Sequence, residues 1–184
     1  MLARLPKILY AVSDCGTEWG KVGRRAAGVS PYRSQLERMF LGQFAHAIDS
    51  KGRITVPVSF RAALSSGAYL TQGFERNLVV YTTDSFERMA KRAASLTTTN
   101  PEARAIRRML FGRAADVTLD SAGRILIPPF QREYAELDNE VAIVGAGEYF
   151  EIWSTHLWDG ELMAVTDPEV NARRFTEFDL SSAE

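Results

Sequence analysis

From Met39 to about Leu162 apolar and polar residues alternate in short runs, the signature of half-buried strands separated by turns. Phe44, His46 and Ile48 fall on one face of a period-two segment, and Asp49-Ser50-Lys51-Gly52-Arg53 interrupts it with turn residues. Ile54 to Pro57 predicts a second strand, Phe60 to Leu64 one or two helical turns, and Tyr69–Thr71 and Leu78–Tyr81 two further strands. The period then changes. Phe86, Met89, Ala90, Ala93 and Leu96 share one helical face, and Asp84 with Glu87 resembles a capping box. Asn100-Pro101 predicts a second helix entry, followed by a face of Ala103, Ile106, Met109 and Leu110 that ends at Gly112. Strands are expected at 117–119, 125–128, 141–144 and 149–153, with a short helix through Tyr134 to Leu137 and a last helix over 156–164.

An internal repeat organises this pattern. Asp49-Ser-Lys-Gly-Arg-Ile-Thr-Val-Pro57 matches Asp120-Ser-Ala-Gly-Arg-Ile-Leu-Ile-Pro128 at an offset of 71, and Arg61 matches Arg132 at the same spacing. Gly73 matches Gly145, and Leu78–Tyr81 matches Phe150–Trp153, at an offset of 72. Each copy is too small to bury a core alone. The expected architecture is therefore α+β: a β-rich, barrel-like core of two pseudo-symmetric ββαββ-like units with flanking helices. The units are placed at 39–98 and 115–163, with a connecting helix over 99–114 and an acidic tail over 164–184. In each repeated turn the Asp side chain can bond the backbone two residues on, and the Gly permits positive φ. This makes Asp49, Gly52, Asp120 and Gly123 loop-orienting residues.

Residues 1–38 break the pattern with four glycines and Ser30-Pro31, and are read as a flexible extension. Either Met39 is the working initiator, or the segment is a basic arm that grips nucleic acid. The net charge of −1 hides a gradient: residues 1–38 carry +4, residues 39–100 carry +3 and residues 101–184 carry −8. A polyanion would have to be met by a local patch in the first half, because attraction to phosphate fades within about 8 Å at physiological salt.

Enzyme chemistry finds little support. No Gly-rich loop ends in Gly-Lys-Ser/Thr, and Gly145-Ala146-Gly147 lies between two strands, outside a dinucleotide-binding context. Cys15 is the single cysteine, and His46 and His156 are far apart, so neither a metal site nor a nucleophile–base pair is expected. His46 reads as a structural residue and His156 as a cap or surface group. No apolar run approaches the roughly 20 residues a membrane helix needs, and the amino end lacks a signal-cleavage pattern. The expectations are no cofactor, no small-molecule substrate, no membrane, and a reducing cytoplasm. A non-catalytic interaction scaffold, docking through the helix over 156–164, is the competing class. Trp153 and Trp158 are expected in the core or at a subunit interface.

From Met39 to about Asp159 the chain resembles the MraZ family, whose two halves have the SpoVT/AbrB-like, swapped-hairpin fold. The residues carrying the resemblance are Met39-Phe40-Leu41-Gly42, the two Asp-x-x-x-Arg turns, Asn100–Arg108 and Phe150-Glu151-Ile152-Trp153. The resemblance implies a nucleoid-associated transcriptional repressor of its own division and cell-wall gene cluster. It would bind direct repeats in promoter DNA as a ring-shaped homo-oligomer. The resemblance also implies that the Asp-x-x-x-Arg turns meet DNA.

Among these, Lys51, Arg53 and Arg124 are the expected contacts. Asp49 should orient its loop, since a carboxylate facing phosphate is repelled. Arg53 is ranked above Arg124 because Lys51 accompanies it where the second copy has Ala122, and because its half of the chain is net positive. Arg104, Arg107 and Arg108 lie off the apolar face of their helix. They are read as oligomer contacts to the acidic half of a neighbour, a head-to-tail arrangement that closes rings.

Overall fold

The computed structural model describes residues 39–176 and Phe178; the extension expected over 1–38 and the end of the acidic tail lie outside them. The fold is α+β. Eight strands, β1 (Gln43–Ala47), β2 (Arg53–Thr55), β3 (Ala68–Gln72), β4 (Leu78–Thr82), β5 (Ala115–Val117), β6 (Arg124–Leu126), β7 (Glu140–Gly145) and β8 (Tyr149–Ser154), form two sheets. Six strands run in the order β1-β7-β8-β4-β3-β5, all antiparallel, and β2 pairs with β6 alone. Exchanging each strand for its repeat partner reverses this order onto itself. The first strand of each copy is thus donated to the third strand of the other.

The registers locate the pseudo-twofold axis. Ile54 faces Ile125 in the small sheet, and Val79 faces Glu151 in the large one. Both pairs are repeat equivalents, so the axis passes through both sites. Ile54 and Ile125 are buried, as are Val56 and Ile127, and they pack on Leu70, Val80, Ile143 and Ile152 from the large sheet. The rings of Phe40, Phe44, Phe60 and Phe150 close one end of this core, with centroids 5.0–5.3 Å apart. At the position equivalent to Phe60 stands Gln131, fully buried, whose Nε2 donates to the carbonyls of Leu70 and Arg113. A polar side chain is tolerated there because it satisfies backbone acceptors that would otherwise be orphaned.

Helices lie on both faces of the large sheet. The helix α1 (Val58–Arg61), continued by a short 3₁₀ turn, and α4 (Pro129–Tyr134) follow the two small strands. Helices α2 (Thr83–Ser95) and α3 (Pro101–Gly112) form a hairpin over β3, where Tyr69 stacks on Phe86 at 4.3 Å and Thr71 donates to the Leu110 carbonyl. Helix α5 (Thr155–Thr166) brings Trp158 onto Trp153, and both rings are buried. The two tryptophans form a small cluster with Ala142.

Several local expectations need correction. The cap of α2 is Thr82, whose hydroxyl accepts from the Ser85 amide, so Asp84 sits inside the first turn. Ser154 caps α5 in the same way, and α5 runs to Thr166. Within the segment read as an acidic tail, Pro168–Arg174 is a helix, α6, capped by Asp167. The short helix α4 ends at Tyr134 instead of reaching Leu137, because Glu136 takes a positive φ of 51°. The strand expected at 117–119 is shifted to 115–117, since β3 offers partners only from Ala68 to Leu70.

Candidate nucleic-acid interface

The two Asp-x-x-x-Arg turns lie on either side of the pseudo-twofold axis, where β2 and β6 begin. In the first, Asp49 Oδ1 accepts from the amides of Lys51 and Arg53, both at 2.9 Å, and Oδ2 accepts from Arg53 Nε at 2.8 Å. In the second, Asp120 Oδ1 accepts from the amides of Ala122 and Arg124, both at 2.9 Å, and Oδ2 accepts from Arg124 Nε at 2.9 Å. Gly52 and Gly123 hold φ of 79° and 75°, where a side chain is strained. Local chemistry accounts for all of this: a short acceptor, a residue free to take positive φ, and a long donor.

The turns also reach across the axis. Val56 donates to the Gly123 carbonyl and Ile127 to the Gly52 carbonyl, both at 2.9 Å. Arg53 Nη1 lies 3.7 Å from Asp120, and Arg124 Nη1 lies 3.5 Å from Asp49. Two guanidiniums therefore balance two carboxylates in one cluster. The Arg53 side-chain bond, supported by the Arg53 and Lys51 amides, holds the Asp49 carboxyl down to about 2. Arg124 lowers Asp120 in the same manner. Both aspartates stay ionised at any physiological pH.

Arg53 and Arg124 are placed alike, with side chains 28% and 30% exposed. Both side chains stay partly exposed while Nε and Nη2 are tied to their own Asp and Nη1 lies near the opposite one. The difference between the turns is Lys51 against Ala122, both exposed. Any ranking of Arg53 over Arg124 therefore rests on Lys51 and the wider charge gradient, not on the setting of the arginines themselves.

Arg61 and Arg132 also belong to this region. A Cβ on Gly123 would lie 2.5 Å from the Arg61 guanidinium carbon, and one on Gly52 would lie 2.9 Å from that of Arg132. Each arginine thus rests on the turn of the opposite copy. The sequence marks the two as equivalent through their shared spacing but gives no hint of the crossing. His46 is half-buried, and its pKa is lowered by burial and then by Arg61 nearby, both of which disfavour its charged form. His156 is a surface residue of α5, which Ser154 caps.

The arginines of α3 have partners within the chain. Arg107 donates from Nε to Ala93 O (3.0 Å) and from Nη2 to Ala94 O (2.6 Å) and Leu96 O (2.7 Å). Arg104 Nη1 donates to the carbonyls of Thr98 and Thr99. These two bind the carbonyls at the end of α2 and in the linker after it. Arg108 is exposed and has no side-chain hydrogen bond or ion pair among the described residues. The described residues contain no group of three or more His, Cys, Asp or Glu able to hold a metal ion, and no helix long and apolar enough to cross a membrane.

Residues 39–109 and 110–166 each match the family model described as "MraZ protein, putative antitoxin-like". Three relatives named Transcriptional regulator MraZ align over most of their lengths. The protein from Thermomicrobium roseum is 45% identical over 140 residues, covering 75% of this chain and 99% of the relative. That from Roseiflexus castenholzii is 44% identical over 139 residues, covering 76% and 95%. That from Dictyoglomus thermophilum is 43% identical over 121 residues, covering 66% and 83%.

Proposed function

This chain belongs to the MraZ family, and on that premise we propose that it is a sequence-specific, DNA-binding transcriptional regulator whose paired turns meet the DNA. The observation that carries the reading is the pseudo-twofold pair of Asp-tethered arginines beside one exposed lysine. Arg53 and Arg124 are held in fixed orientations with each side chain partly exposed, the preorganisation that bidentate contact to a guanine edge requires. Lys51 adds sequence-independent attraction to phosphate. Asp49 and Asp120 orient the arginines and do not touch DNA, and Gly52 and Gly123 permit the turns.

The finer reading follows. The regulator represses its own division and cell-wall gene cluster from promoter repeats, in the cytoplasm and at the nucleoid, as a ring of identical subunits. A ring is supported by the outer edges of β1 and β5, which end the large sheet with no further strand among the described residues, and by the charge gradient along the chain. Arg108 is the α3 arginine with no side-chain partner among the described residues; Arg104 and Arg107 join it there only with the donors left over from the end of α2 and the linker after it.

The test is a gel shift with the DNA upstream of the protein's own gene, competed with scrambled DNA. Wild type should bind specifically, Arg53→Ala should nearly abolish the specific complex, and Arg124→Ala should lose less. A folded Arg53→Ala that shifts DNA normally would overturn the site. A wild-type protein with no preference for the upstream DNA would favour the scaffold reading.

A further inference from the structure

We infer that Arg61 and Arg132 are positioning residues that lock the two DNA-facing turns crosswise, each from the opposite repeat copy. The inference rests on the reading of the turns as the DNA contact. The turn at 49–53 is closed by its own Asp49, but its back is covered by the second copy: Ile127 donates to the Gly52 carbonyl, and the Arg132 guanidinium carbon lies 2.9 Å from where a Gly52 Cβ would stand. The turn at 120–124 is covered by the first copy, through the Val56 amide on the Gly123 carbonyl and the Arg61 guanidinium against Gly123. Arg61 is itself anchored, donating from Nε to the Val56 carbonyl at 2.9 Å. In this copy the strand end that bonds the opposite turn thus also holds the arginine that covers it, whereas Arg132 Nε is buried without a hydrogen-bond partner.

Two consequences follow. The glycines serve twice, since positive φ excludes most side chains and a guanidinium occupies the space a Cβ would need. Each turn is also backed separately by the other copy. Neither can shift without displacing a strand end and an arginine of the other copy, so Arg53 and Arg124 keep a fixed mutual geometry. Fixing donors before the ligand arrives lowers the ordering cost of binding. Arg61 and Arg132 act through the turns and not on DNA, so their removal should cost affinity without removing a phosphate contact.

The test uses the full chain carrying Arg132→Ala or Arg61→Ala, with the Gln variants replacing any that does not fold. Limited trypsin digestion, mapped by mass spectrometry, reads each turn separately. Arg132→Ala should speed cleavage after Lys51 and Arg53 about tenfold through local opening, with cleavage after Arg124 unchanged. Arg61→Ala should show the reverse. Affinity for the upstream DNA should fall several-fold in each variant, while the slope of log affinity against log salt stays at the wild-type value. Equal acceleration at both turns, or at neither, would overturn the crosswise lock. A slope reduced by about 0.9 would make the residue a phosphate contact and overturn the positioning role. The wild-type salt titration is run alongside. Failure of wild type to bind DNA overturns the functional reading and leaves the proteolysis to decide the lock.

Discussion

Replacing Arg107 by Ala separates an internal role for α3 from a role between subunits. Arg107 spans the C-terminal end of α2, with donors to the carbonyls of Ala93, Ala94 and Leu96. These are among the acceptors a helix leaves without intrahelical partners, and a cation there also meets the negative end of the helix dipole. Ala93 is only 6% exposed, whereas Leu96 is 41% exposed, and water can replace the arginine more easily at the exposed positions. Counting one sheltered charge-assisted bond at about 1.5 kcal/mol and a dipole contribution of about 0.5 kcal/mol gives a loss of roughly 2 kcal/mol. For a domain of this size that corresponds to a fall in Tm of about 7 °C. The assay is thermal melting followed by circular dichroism, for wild type and Arg107→Ala, over a hundredfold range of protein concentration. Wild-type Tm rises with concentration if the fold is stabilised by association. The deficit of the variant should nevertheless be constant, because the bonds lie within one chain. A deficit that grows on dilution would assign Arg107 to the subunit interface, and no deficit at any concentration would refute the capping argument.

Other outcomes follow from the same structure. Gly160 lies inside α5 and a Cβ there meets nothing within 4 Å, so Gly160→Ala should stabilise by about 0.5–1 kcal/mol; a lower melting temperature would contradict this. Glu151 is raised above the ordinary carboxyl range, first by burial and further by Glu75 and Glu161. The folded state therefore binds its proton more tightly, and stability from this group is lost as pH rises from the unfolded value of 4.5 through the raised one. Glu151→Gln should thus raise Tm at pH 7, with the gain vanishing below about pH 4; an equal gain at both pH values would refute it. Asp49, held down to about 2, keeps its tether above its ordinary value of 3.8 and loses it only as pH falls through about 2. An Asp49 carboxyl resonance should accordingly stay ionised on titration to pH 4, and a midpoint near 4 would show that the tether is absent.

The repeated turn was legible because its bonds are local. Asp49 and Asp120 reach the amides two and four residues on, and the glycine three residues later supplies the positive φ. The Asn100 cap was equally plain, since Asn before Pro satisfies the first amides of α3. The same signal recurs further along: Asp167-Pro168-Glu169 mirrors Asn100-Pro101-Glu102, and Asp167 caps α6 with the same pair of amide bonds. The cap of α2 differs from the expected one because Asp84 and Thr82 are both good caps, and only the path of the chain leaving β4 selects Thr82. What the sequence hid is contact across long separations. Spacing relates Arg61 to Arg132, yet a swapped topology is needed before either can reach the other copy's glycine. Arg104 and Arg107 looked available because the return of α3 along α2 could not be read from one helix alone.

The most direct test of the DNA-binding turns is the salt dependence of binding, by fluorescence anisotropy, to the DNA upstream of the protein's own gene. Wild type, Lys51→Ala and Arg53→Ala are compared at several salt concentrations against scrambled DNA. Lys51→Ala should weaken binding to both sequences alike and reduce the salt slope by about 0.9, the value of one released phosphate counterion. Arg53→Ala should remove the preference for the upstream sequence, a discrimination of about 1–3 kcal/mol for one bidentate base contact. Wild-type slope and wild-type preference in both folded variants would contradict the account.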